Sequence, residues 1–90
     1  MNSASGEFEV RWSPRSRRDL KRLDRPAQGR VVDAMVQLAR TGEGDVVRLV
    51  DIHPPEYRLR VGSFRVRFTR DGEHGVLHVL RVLPRGKAYR

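Results

Sequence analysis

Arg58, Arg60, Arg65 and Arg67 stand at alternate positions on either side of Gly62-Ser63. Guanidinium forks match phosphate oxygens bidentately, so arginines fixed on one surface have the chemistry to hold a phosphodiester backbone. They could also stabilise the negative charge that builds on a phosphorane when RNA is cleaved by its own 2′-hydroxyl. That reaction further needs an acceptor for the 2′-hydroxyl proton and a donor for the leaving oxygen. Arginine stays charged and serves poorly in either part. Tyr89, four residues after Arg85, is a candidate acid or base, or a platform on which a nucleobase could stack.

More conventional chemistry has little to draw on. Without cysteine there is no thiolate nucleophile, disulfide or Cys-type zinc site, and a reducing compartment is expected. His53, His74 and His78 lack metal-ligand spacing. His74 reads as a solvated turn residue, and His78, inside an apolar run, as a hydrogen-bonded structural one. Gly42-Glu43-Gly44 is too short for a dinucleotide fingerprint and follows a helical pattern rather than a strand. No cofactor is implied.

The element that must position the arginines is a hairpin. Arg58 to Phe68 alternates charge with apolar bulk, the period of a half-buried strand, around a two-residue Gly-Ser link suited to a type II′ turn. This register sets Val61 against Phe64, Arg60 against Arg65, Leu59 against Val66 and Arg58 against Arg67. One face is then apolar and the other holds four arginines. Like charges directly opposite cost roughly 0.2–1 kcal/mol per pair, a cost that a bound polyanion would offset.

Elsewhere, Glu7 to Trp12 alternates as a first strand, and Ser13-Pro14 reads as a helix N-cap followed by proline in the first turn. A helix over about Pro14 to Leu23 has a narrow stripe of Ser16, Leu20 and Leu23 and is otherwise covered by arginine and lysine. Such a basic face is most often simply solvated. Asp24 or Arg25 caps a second helix, Pro26 to about Arg40, with Val31, Met35 and Leu38 on its apolar face and Val32, Val36 and Ala39 widening it. Val46 to Ile52 is apolar but short, and Val76 to Leu83 suits a central strand. The expected fold is α+β, in the order β-α-α-β-β-β, with a helical hairpin packed on one face of a mainly antiparallel sheet.

Ninety residues are enough for a single core, expected over residues 7–90 after a flexible N-terminal tail at 1–6. The net charge is +8, from 19 Lys+Arg against 11 Asp+Glu, which argues for nucleic acid, an anionic surface or an acidic protein as partner. Residues 11–30 hold eight of the basic side chains and residues 57–90 hold nine. No apolar run has membrane-spanning length and the start lacks a signal-peptide pattern, so a cytoplasmic location with no membrane contact is expected.

Two segments then carry a resemblance. Glu56-Tyr57-Arg58-Leu59-Arg60-Val61-Gly62-Ser63-Phe64-Arg65-Val66, together with Val79-Leu80-Arg81-Val82-Leu83-Pro84-Arg85-Gly86-Lys87-Ala88-Tyr89-Arg90, resembles the RelE/ParE superfamily of type II toxin–antitoxin toxins, in its RelE-like branch. The likeness extends over residues 7–90 and includes Arg48-Leu49. It implies the fold just described and a metal-independent mRNA endoribonuclease, ribosome-associated, that inhibits translation and leaves a 2′,3′-cyclic phosphate. It also implies a cognate antitoxin as partner, mRNA and ribosomal RNA as ligands, and DNA contact only through the antitoxin complex. By position, Arg65, Arg85 and Tyr89 fall on catalytic sites, and Arg58 and Arg60 on the strand that grips mRNA. Arg67, Arg81, Lys87 and Arg48 are further candidate RNA contacts, Arg81 being alternatively structural. Two readings stay open on the same fold: a ParE-like inhibitor of DNA gyrase, and a nucleic-acid-binding module without chemistry.

Overall fold

A computed structural model describes residues 7–87; the expected tail at 1–6 and Tyr89 lie outside the described residues. The elements run β1 (Glu9–Trp12), α1 (Pro14–Lys21), α2 (Arg25–Thr41), β2 (Val46–Leu49), β3 (Glu56–Val61), β4 (Phe64–Asp71) and β5 (Val76–Pro84), followed by a single 3₁₀ turn, Arg85–Lys87. The strands form one sheet in the order β1-β5-β4-β3-β2, antiparallel except for the β1–β5 pair. This is the expected α+β architecture, with Val46–Leu49 added as an edge strand beside the arginine hairpin.

Local chemistry explains the helix starts. Ser13 Oγ accepts from the Ser16 N–H and Asp24 Oδ1 from the Ala27 N–H, each satisfying a first-turn donor that the helix cannot. Gly42 ends α2 in the left-handed region, at φ 78°, where a side chain would be strained. The buried stripe of α2 is Ala27, Val31, Met35 and Ala39, four residues apart each time, while Leu38 is half-buried and Val36 exposed. Val31, Met35 and Ala39 of that stripe pack on Leu59, Val66, Phe68, Leu77, Val79 and Val82 to form the core. The hairpin has the register expected for it, from Val61 opposite Phe64 to Arg58 opposite Arg67. Gly62, at φ 57°, supplies the turn conformation.

Along β5 the pairing shifts by one residue, because Arg67 faces Arg81 while its neighbour Phe68 faces Val79. Leu80 is therefore the extra residue of a bulge. The bulge lets Val79 and Val82, three apart, both reach the core and sends Arg81 to the sheet side that the core does not use. Past the end of β1, α1 closes the open edge of β5. Ser13 donates its N–H to Val79 O (3.0 Å) and its hydroxyl to Leu80 O (3.0 Å), and Asp19 accepts from the Val82 N–H (2.8 Å).

Candidate nucleic-acid interface

The hairpin alternation places Arg58, Arg60, Arg65 and Arg67 on the side of the sheet away from the α2 core. Three of them, Arg58, Arg60 and Arg65, line one cleft of about 180 Å³ with Asp45 and Val47. Arg65 is buried, and its Nη1 donates to the carbonyls of Gly62 (3.1 Å) and Phe64 (2.9 Å). The turn thus fixes the guanidinium in place from behind. Arg60 is exposed, with Nε 2.7 Å from Asp45 Oδ2, and its own N–H donates to Asp45 O. No hydrogen bond to Asp45 Oδ1 occurs among the described residues.

Arg85 reaches the same corner through the backbone. Its N–H donates to Ser63 O (2.9 Å) at the hairpin turn, and Phe64 pairs with Pro84 in register. The side chain of Arg85 is exposed beside the turn that anchors Arg65. Lys87 ends the 3₁₀ turn.

The other candidates are held apart. Arg67 donates Nε and Nη2 to Glu56 Oε1 (3.1 and 2.8 Å). Arg81 turns away from the hairpin to α1, with Nε 2.9 Å and Nη2 3.3 Å from the two oxygens of Asp19. Arg48 pairs with Tyr57, whose ring stacks on Phe68 at 5.5 Å, so alternation puts it on the opposite side of the sheet from the cleft.

Three carboxylates therefore sit among these arginines, none of them singled out by the sequence pattern. Asp45 and Glu56 offset charge on the hairpin, and Asp19 does so at the β5 edge. Burial pushes the Asp19 carboxyl up. The Arg81 hydrogen bond, the Val82 N–H and the charges of Arg81 and Arg22 more than reverse that and hold it below its ordinary value. An acid lying within reach of an arginine in both register and sequence could have signalled Glu56. Nothing local could have signalled Asp19, whose partner is more than sixty residues away.

Among the described residues no group of three or more His, Asp or Glu is arranged to hold a metal ion, and no helix is long and apolar enough to cross a membrane. No curated protein matches the chain in sequence. In structure it is similar to a chain of the archaeal RelE-RelB complex from Pyrococcus horikoshii OT3, at TM-score 0.76 and 22% identity over 89% of this chain and 97% of that one. It is similar also to a chain of the RelBE2 toxin-antitoxin complex from Mycobacterium tuberculosis, at TM-score 0.71 and 29% identity over 88% of this chain and 99% of that one. A chain of the RelB-RelE antitoxin-toxin complex from Methanococcus jannaschii matches at TM-score 0.71 and 21% identity, over 89% and 95%. The sequence pattern of the ParE toxin of type II toxin-antitoxin systems, parDE, matches residues 10–89, which takes in both helices, the arginine cleft and all of the strands but the first residue of β1. The chain belongs to that ParE toxin family, within the RelE/ParE superfamily.

Proposed function

We propose that this toxin is an endoribonuclease that cleaves mRNA on the ribosome and is neutralised by a cognate antitoxin. One observation carries the reading: three arginines and a carboxylate, Arg58, Arg60, Arg65 and Asp45, line a single cleft beside the turn that holds Arg85. Arg58 and Arg60 hold the backbone phosphates. Arg65, already oriented by two carbonyls, and Arg85 face the scissile phosphate and stabilise the charge of the phosphorane. Asp45 Oδ1 takes the 2′-hydroxyl proton as the 2′-oxygen attacks phosphorus, and Tyr89 gives a proton to the departing 5′-oxygen. The products are a 2′,3′-cyclic phosphate and a 5′-hydroxyl, and no step calls on a metal ion.

The structural relatives come from complexes of RelE with RelB, which supports an antitoxin partner and the RelE-like reading. The matched sequence pattern is that of ParE, and this favours a second reading in which the same fold inhibits DNA gyrase. Inducing the chain with and without its antitoxin and mapping mRNA ends by primer extension separates the two. New ends within coding sequence, relieved by the antitoxin, are the expected result. Supercoiling inhibition with intact mRNA would reverse the order. For the acceptor, Asp45→Asn lowers the cleavage rate by about 10²–10⁴-fold, and undiminished cleavage would remove Asp45 from the scheme.

A further inference from the structure

The basic helix has no part in the cleavage scheme, yet its arginines are not scattered. Arg15, Arg18 and Arg22, spaced three and four apart on one side of α1, converge with Arg81 on a polar cleft of about 180 Å³ whose floor holds Asp19. Asp19 is 8% exposed, and both of its oxygens are engaged by Arg81 and the Val82 N–H. Its charge is thus matched by Arg81. Arg15, Arg18 and Arg22 form no ion pair among the described residues. Three exposed cations therefore surround a concave site whose one carboxylate is already hydrogen-bonded to Arg81 and the Val82 N–H.

The position of the cleft says what fits it. Arg81, Arg67 and Arg58 lie in register on three neighbouring strands, on the same side of the sheet. At a strand spacing of about 4.8 Å, Arg81 is about 10 Å from Arg58, the rise of about three stacked nucleotides. A strand of RNA leaving the cleavage cleft across the sheet therefore arrives at α1. We propose that the α1–β5 cleft is a second phosphate site, which holds the backbone of the same RNA a few nucleotides away from the cleft of Arg58, Arg60 and Arg65. The proposal rests on RNA as the ligand, but not on its cleavage.

The test is equilibrium binding of the full chain to a single-stranded RNA of about twelve nucleotides, 2′-O-methylated so that it cannot be cut, over a range of salt. Each phosphate contact on a single strand contributes about 0.7 to the slope of log K against log salt. Replacing Arg15, Arg18 and Arg22 together by Gln makes that slope shallower by about 2. A control, Arg17, Arg30 and Arg40 all replaced by Gln, removes the same charge from exposed helix positions outside the cleft and keeps the wild-type slope. Equal losses in the two triples would reduce the effect to net charge and overturn the proposal. An unchanged RNA slope together with weakened antitoxin binding in the first triple would overturn it too, and assign the cleft to a protein. Absence of mRNA cleavage by the wild type would sink the nuclease reading while leaving this binding comparison intact.

Discussion

Arg81–Asp19 and Arg60–Asp45 are the same two side chains at nearly the same separation, 2.9 and 2.7 Å. Their surroundings differ. At the β5 edge the two side chains are 25% and 9% exposed, whereas in the cleft they are 62% and 51% exposed. Asp19 also satisfies a backbone donor of β5 that no strand covers, so the first pair is part of how the sheet ends. The second sits in water, where such pairs contribute at most about 1 kcal/mol and exchange readily. An arginine in the first setting is committed to the fold. In the second it is held loosely by a carboxylate that a phosphate can replace.

The largest expected effect falls on the committed pair. Asp19→Ala leaves the Arg81 charge and the Val82 N–H without their acceptor, and breaking a buried pair in this way costs about 3–5 kcal/mol. That is about a fifth or more of the stability of an ordinary small domain, and it appears as a fall in the urea midpoint. Asp45→Ala, by contrast, moves stability by less than about 1 kcal/mol. Equal losses at the two sites would end the distinction.

The proposed catalytic corner is next. Arg85 is exposed and anchored through its backbone rather than its side chain, so Arg85→Ala leaves the urea midpoint in place. Cleavage falls about 10²–10³-fold, the usual cost of removing one donor to a developing oxyanion. A matched loss of stability would mean that Arg85 belongs with Arg81 among the fold's arginines.

Acid should separate the pairs as well. The folded-state carboxyl of Asp19 lies below its ordinary value of 3.8, so its contribution is complete above that value and is lost as pH falls through the folded one. Acid titration of stability below about pH 4 is therefore shallower in Asp19→Asn than in the wild type. Parallel curves for the two proteins would show that the pair carries no linkage.

The same contrast explains what could be read in the sequence. The hairpin was legible because period-two alternation and a Gly-Ser link specify both the register and the facing arginines. The helix starts were legible because Ser13 and Asp24 bond within three residues of themselves. Arg81 was not, because alternation from Leu77 and Val79 assigns it to the core side and only the bulge at Leu80 reverses that. Strand β2 was obscured because its four residues, two half-buried at the ends and two exposed between them, show no clean alternation. Asp19 carries no sequence signal of its role, since its partners come from the far end of the chain. Local rules revealed the site's positive surface; the carboxylates that tune it depend on contacts that only folding creates.

The smallest effect is the most discriminating. Asp45 neutralises part of the charge that Arg60 offers, so Asp45→Asn frees the Arg60 guanidinium for phosphate. An exposed pair worth up to about 1 kcal/mol translates to at most about fivefold tighter binding of non-cleavable RNA, with a steeper dependence on salt. On the proposed mechanism the same substitution slows cleavage, because it removes the proposed proton acceptor. Binding and turnover moving in opposite directions from one amide is a result that general loss of structure cannot produce. Were Asp45 only a lock on Arg60, both would rise together, and the acceptor would have to be sought outside the cleft.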